Sequence, residues 1–240
     1  MQPTPAVARE VFEPKFEPLL KAGVHFGYAR TRRHPRMRPF IAGVKSNMEI
    51  FQLDKVWDHL ESALAYIEQL GRDKHPMLWV GSKPAAAPLV KAAALSLGHP
   101  YVTTRWLGGT LTNYKIIRDR INHWQDLISK QKSGELQKYT KHEQLRIQRE
   151  IDRLTRDFDG VANLSGIPKA MFVIDAGEES IAVAEAKVKN VPIIALINSD
   201  CDPASVTYPI LGNDNASKSI NFVINKIAEA YRKGLAEAHE

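Results

Sequence analysis

Three short runs set the fold class: Met77–Gly81 (MLWVG), Met171–Asp175 (MFVID) and Ile193–Ile197 (IIALI) carry no alternation of polar and apolar residues. A strand wetted on one side alternates, so unbroken apolar runs of this length are strands covered on both faces. Tyr101–Thr103 adds another short strand. Helical patterns lie between them. Pro84–Leu97 is rich in alanine and opens with proline near its first turn. Glu178–Lys189 sets Ile181, Ala184 and Val188 on one stripe, and Ser217–Leu235 does the same with Ile220, Val223, Ile224 and Ile227. The alternation predicts an α/β fold built on a doubly wound parallel sheet.

One segment breaks the pattern. Between Leu111 and Phe158 there is no strand signal, and apolar residues recur at helical steps: Ile117, Ile121, Trp124 and Ile128, then Ile147, Ile151, Leu154 and Phe158. Ser133–Gly134 separates the two stripes, and Thr140 with Glu143 forms a capping box for the second. Two antiparallel helices zipped along such stripes make a coiled-coil hairpin. The domain reading is therefore 1–110 for the first part of the α/β domain, with a basic arm at about 20–48, then 111–160 for an inserted helical hairpin, and 161–240 for the second part. Residues Asn113–Phe158 hold 11 Lys or Arg against 7 Asp or Glu, a balance usual for solvated helix faces.

Charge is the next constraint. The chain carries a formal +6, but its distribution says more than the sum. Between Glu17 and Glu49 there is no acidic residue, while Lys21, Arg30, Arg32, Arg33, Arg36, Arg38 and Lys45 fall in that window with His25 and His34 beside them. Arginine's planar fork holds a phosphate bidentately or stacks on a base, and Phe26, Tyr28 and Phe40 interleave with the cations. Pro35 and Pro39 oppose a long helix. The expectation is an irregular basic arm, largely disordered alone, that neutralises phosphates of structured RNA. The bland alternative is a basic loop without a partner.

A hydrophobic content of 44% with 25% charged residues suits a folded chain, and no run approaches the ~18 apolar residues of a membrane span. The first basic residue is Arg9, and Glu10, Glu13 and Glu17 follow, which opposes a secretory or organelle leader. A single cysteine, Cys201, excludes an internal disulfide and suits a reducing compartment. These features predict a cytosolic protein.

Catalytic constellations are weak. Gly81–Ser82–Lys83–Pro84 and Leu107–Gly108–Gly109–Thr110 resemble phosphate-binding turns, yet neither matches the dinucleotide or P-loop spacing. The Gly108–Gly109 pair instead allows a tight turn or close approach to RNA. Carboxylates collect at strand ends as Asp175, Glu178 and Glu179, and as Asp200, Asp202 and Asp214. They serve either metal or acid–base chemistry, or helix-terminus charge and turn formation around Cys201–Asp202–Pro203. Cys201 and the 8 histidines show no metal-ligand spacing, so no metal, cofactor or small-molecule substrate is expected. The alternative to an RNA-binding scaffold is a sugar-phosphate or nucleotide-binding enzyme using the Gly81–Lys83 turn and those carboxylates.

Three strings carry a family resemblance. Leu20–Gly27 (LKAGVHFG), followed by Arg33 and Pro35–Ile41, opens the set. Arg105–Asn113 (RWLGGTLTN) is its centre, and Cys201–Pro203, Tyr208–Ile210 and Gly212–Asp214 close it. In this order over about residues 17–235 they resemble the bacterial-type small-subunit ribosomal protein S-two family. The resemblance implies a flavodoxin-like sheet with a protruding helical hairpin, and no enzymatic activity. It also implies a place in the cytoplasmic small ribosomal subunit, binding of its ribosomal RNA between head and body, and help in anchoring ribosomal protein S-one. It assigns RNA contact to His25, Tyr28, Arg30, Arg32, Arg33, Arg36, Arg38 and Lys45. In the central string Arg105 supplies charge and Trp106 packing or stacking. Gly108 and Gly109 give close approach, and Asn113 and Lys115 reach phosphate or sugar. The chain departs from the family at Tyr28, where a second histidine is usual, at Ala42–Asn47, and at Asp175–Ala176–Gly177, which replaces Asp-Pro.

Overall fold

The computed structural model describes residues 13–238, so the leader reading at Arg9 and Glu10 and the outer ends of the first and last domain segments lie outside the described residues. Helix α1 (Glu17–Ala22) stops at Gly23, whose φ of 70° is the left-handed cap that glycine adopts without strain. The chain then forms β1 (Phe26–Ala29), β2 (Ile41–Lys45) and β3 (Met48–Phe51), an antiparallel sheet in the order β1-β3-β2. Ser46 and Asn47 join β2 to β3 with φ of 51° and 65°. Two left-handed residues are what a two-residue hairpin needs to match strand twist.

Helix α2 (Leu53–Arg72) leads to the main sheet of β4 (Leu78–Val80), β5 (Tyr101–Val102), β6 (Met171–Ile174), β7 (Ile193–Ile197) and β8 (Tyr208–Leu211). All five strands are parallel, in the order β5-β4-β6-β7-β8. Counted among themselves this is the 2-1-3-4-5 order of flavodoxin-like sheets, with the switch point between β4 and β6. Every residue of β4, β6 and β7 is buried, as the unbroken apolar runs require. Helices α3 (Ala87–Leu97), α6 (Ser180–Val188) and α7 (Ser217–Glu237) complete the α/β unit. Helix α7 buries Ile220, Val223, Ile224 and Ile227. It packs on α2 so closely that a Cβ on Gly71 would strike the Tyr231 carbonyl, and one on Gly234 the Glu68 carbonyl. Among the described residues no helix is long and apolar enough to cross a membrane.

Between β5 and β6 run α4 (Tyr114–Lys132) and α5 (Lys141–Phe158). The Thr140–Glu143 capping box is formed in both directions. Trp124 Nε1 donates to Thr155 Oγ1 at 3.0 Å, and further along α4 Gln131 meets Gln148, so the contacts step forward on α4 as they step back on α5. Ile117, Ile121 and Trp124 are buried on one helix and Ile151, Leu154 and Phe158 on the other. Nearer the connection Ile128 and Ile147 are only half-buried.

Two expectations need correction. The stripe of α6 is the wrong face: Ile181 and Val188 are 55% and 69% exposed, while Ala182, Val183, Glu185 and Ala186 are buried. Small residues let the backbone sit close to its neighbours, and that outweighs the larger apolar area of the other stripe. The basic arm is a folded sheet with 3-10 turns rather than an irregular strand of chain, because Met37 and Phe51 are buried in the core and anchor it. Helix α2 and strand β8 add elements the sequence reading did not include.

Candidate nucleic-acid interface

Both segments singled out for RNA follow from the parallel sheet. The strands end together, so the loops after β5 and β7 open on one edge. The loop after β5 carries Arg105, and the loop after β7 carries Ser199–Asp202, against which the small basic sheet is docked. Tyr28 N donates to Ser199 Oγ at 3.0 Å and His34 N to the Ser199 carbonyl at 2.8 Å. At Gly27 a Cβ would sit 3.2 Å from Ser199 Oγ, so glycine lets β1 approach that loop.

Distant carboxylates answer the acid-free window. Arg33 pairs with Glu49 at 3.0 Å, and the Glu49 side chain is fully buried, so this arginine is part of the sheet's interior. Arg32 pairs with Asp200 at 3.3 Å and lies over the Tyr28 ring, 4.1 Å from its centroid. Arg36 pairs with Asp202 at 2.7 Å, and Lys21 with Glu17 at 2.7 Å. Among the described residues Arg30, Arg38 and Lys45 are exposed and lack an ion-pair partner. The expectation of seven open cations is thus corrected to three. Sequence distance hid the acids: Asp200 and Asp202 lie 168 and 166 positions away from their arginines. His25 is half-buried with Nδ1 unpartnered, and burial holds its pKa below the usual histidine value.

The Arg105–Asn113 loop, which leads into Lys115 of α4, is held from inside by Glu185, a residue the sequence motifs do not single out. Its carboxylate accepts from Trp106 Nε1 at 3.1 Å, Gly109 N at 2.6 Å, Leu111 N at 2.9 Å, and Thr112 N and Oγ1 at 3.0 Å each. Burial opposes its charge, yet the backbone donors of Thr112, Gly109 and Leu111 outweigh burial and hold its pKa below normal. Trp106 is 5% exposed, so its ring packs inside and is closed to base stacking. Gly109 has φ 94°, where glycine permits the turn. Arg105, Gly108, Asn113 and Lys115 are exposed. A readable signal for Glu185 existed: one carboxylate among Ala182, Val183 and Ala186 on a face of small residues.

Of the strand-end carboxylates, Asp175, Glu179 and Asp214 meet the Gly81–Lys83 turn at the switch point, while Asp200 and Asp202 turn to the arginines. Lys83 Nζ lies 2.6 Å from Asp175 Oδ2 and 2.7 Å from Asp214 Oδ2. Burial opposes the Lys83 charge, but the two carboxylates raise its pKa above the normal lysine value. Burial likewise opposes charge on Asp175, which Lys83 and the N–H groups of Glu178 and Gly177 nevertheless hold low; Asp214, fully buried, is pushed up by burial. Glu179 accepts from Ser82 N at 2.8 Å, and Asn198 donates to Asp214 at 2.8 Å. Burial pushes the Cys201 thiol up to about 12, which leaves it unreactive at neutral pH. An internal ion triad thus occupies one side of the crevice where a flavodoxin-like sheet takes its ligand, and beside it a cavity lined by Ser82, Thr104, Arg105, Glu178 and Glu179 stays open.

The family model described as Ribosomal protein S2 matches residues 19–234. Small ribosomal subunit protein uS2 of Hahella chejuensis is 40% identical over 220 residues, covering 92% of this chain and 87% of that protein. The protein of the same name from Marinobacter nauticus is 40% identical over 211 residues, covering 88% and 84%. That from Coprothermobacter proteolyticus is 37% identical over 216 residues, covering 90% and 81%.

Proposed function

The chain belongs to the ribosomal protein S2 family, a structural and non-enzymatic family of the small ribosomal subunit, and from that premise we propose that it binds small-subunit ribosomal RNA through the carboxyl-terminal edge of its sheet. The observation that carries this reading is the pairing of a folded basic segment, with Arg30 and Arg38 on its 3-10 turns and Lys45 at the end of β2, with the Glu185-held loop bearing Arg105, which leads into Lys115 on the first turn of α4. Rigid presentation matters because structured RNA is recognised by the spacing of its phosphates and 2′-hydroxyls rather than by one base pattern. In this reading Arg30, Arg38, Lys45, Arg105 and Lys115 neutralise phosphates. Tyr28, Gly108 and Asn113 meet sugar or base edges, and His25 acts from the half-buried rim. Arg32 and Arg36 join by exchanging their carboxylates for phosphate. Arg33, Trp106 and Gly109 support the surface from within.

The same premise carries the scaffold role at the head–body junction, with residues 111–160 as an inserted helical hairpin, and the anchoring of ribosomal protein S-one. The enzyme alternative has no support: the family is structural, and Lys83 is taken up by ion pairs with Asp175 and Asp214. The test is binding to a small-subunit ribosomal RNA fragment as salt is varied. Replacing Arg30, Arg38 and Lys45 together with alanine is expected to flatten the log–log salt slope by roughly 0.7–0.9 per contact. An unchanged slope would remove the basic sheet from the interface. For the anchoring role, subunits lacking this protein are expected to lose S-one from the particle; subunits that keep it would contradict that role.

A further inference from the structure

The loop after β7 contributes acids, not cations, to the basic surface. Asp202 Oδ2 sits 2.7 Å from Arg36 Nη1, while its other oxygen accepts from Ala204 N at 3.0 Å, so the turn itself aims the carboxylate. Asp200 Oδ2 sits 3.3 Å from an Arg32 Nη whose guanidinium also lies over the Tyr28 ring. The arginine side chains remain 59% and 64% exposed, whereas the aspartates are 23% and 30% exposed. The cations therefore face solvent and the acids stand behind them, each presenting one anionic oxygen, Oδ2, to its arginine where a phosphate oxygen would otherwise sit. The neighbouring Arg33–Glu49 pair differs, since both partners are largely buried and play no part in exchange.

We propose that Asp200 and Asp202 are specificity-determining residues of the RNA surface, acting as resident phosphate mimics that an RNA must displace to reach Arg32 and Arg36. The inference rests on the RNA-binding reading above. An exposed pair of this kind is weak, so displacing one lowers affinity by roughly 1.4- to 5-fold. An RNA whose phosphates also match Arg30, Arg38 and Lys45 holds its backbone in place long enough to complete the exchange. An RNA of arbitrary shape gains too little and leaves the two pairs closed. The acids thus cost the matched RNA little and deny the unmatched RNA two contacts.

The experiment compares the full chain with the D200N/D202N variant on two probes, a small-subunit ribosomal RNA fragment and an unstructured mixed-sequence RNA, across a salt series. Asparagine keeps the oxygen that accepts the Ala204 N–H, so the turn is preserved. The variant is expected to bind unstructured RNA more tightly, with a salt slope steeper by roughly 0.7–0.9 for each unmasked arginine, and to leave the ribosomal RNA slope unchanged. Arg36→Ala should weaken unstructured RNA binding in the D202N background and hardly at all in the native one. Asp73→Asn neutralises an acid before β4, at the opposite edge of the sheet, and should leave the ratio of the two affinities unchanged. If D200N/D202N and D73N shift both probes alike, the aspartates act only through net charge and the inference is overturned. It is equally overturned if Arg36→Ala has the same effect in both backgrounds. If the Arg30, Arg38 and Lys45 alanine variant binds ribosomal RNA as the native chain does, the RNA-binding reading itself fails. That outcome is distinct from a flat response to D200N/D202N alone.

Discussion

At the scale of single residues, one buried carboxylate organises the surface that the sequence marks by its glycines. Glu185 gathers four side-chain and backbone groups of the Trp106–Thr112 loop beside the Thr112 hydroxyl. Glu185→Gln would turn donors towards donors, and urea unfolding is expected to show a loss of about 2–4 kcal/mol. Its pKa is lowered in the fold, so its stabilisation is complete above the ordinary value of 4.5 and is lost as pH falls through the lower folded value. His99 adds a second acid-side effect. Burial lowers its pKa from 6.5 to about 4, and its Nδ1 accepts from Trp79 Nε1 at 3.0 Å. Between those values the unfolded chain binds a proton that the folded chain refuses, so stability falls as pH drops from 6.5 towards 4. Unfolding midpoints across that window should fall less steeply in His99→Gln, and parallel curves would contradict the assignment. The glycine pair, Arg105 and Lys115 were legible as candidates from their strings. Glu185 was passed over because a mid-helix glutamate usually faces water.

At the scale of elements, legibility followed how local the determining contacts are. Strands β4, β6 and β7 and helices α3 and α7 announce themselves through unbroken or periodic apolar residues, because their partners are generic core. Helix α2 buries Val56, Leu60, Ala63, Ile67 and Leu70 at equally regular steps and was open to the same reading. The small sheet was not: its strands are four or five residues long, and its anchors Met37 and Phe51 are scattered among arginines and prolines. Helix α6 was placed correctly but turned over, since a stripe of larger residues outweighed the alanines in the reading. Two predictions belong here. Gly71→Ala and Gly234→Ala should each cost about 1–3 kcal/mol of stability by urea unfolding, because the α2–α7 approach leaves no room for a methyl group. Amide exchange in the free chain should be slow at Tyr28, His34 and Phe51, whose N–H groups donate to Ser199 Oγ, the Ser199 carbonyl and the His25 carbonyl. Unprotected amides there would return the segment to the disordered arm that composition suggests.

At the scale of the whole molecule, the parallel sheet is a device for bringing sequence-distant loops to one edge. There Lys83 is held between Asp175 and Asp214 at the switch point, and the cations that remain open belong to the loops around it. The fold class and the function class were readable because both rest on patterns confined to short stretches. The charge state of the interface was not, because it depends on pairs such as Arg36–Asp202 that only the folded chain assembles. The measurement that tests the central claim most directly is sedimentation of a native lysate through a sucrose gradient at low and high salt, with this protein followed by mass spectrometry. The account predicts that it travels with the small ribosomal subunit at low salt and leaves it as salt rises, as phosphate contacts give way to counterions. A protein that stays at the top of the gradient at low salt would contradict it.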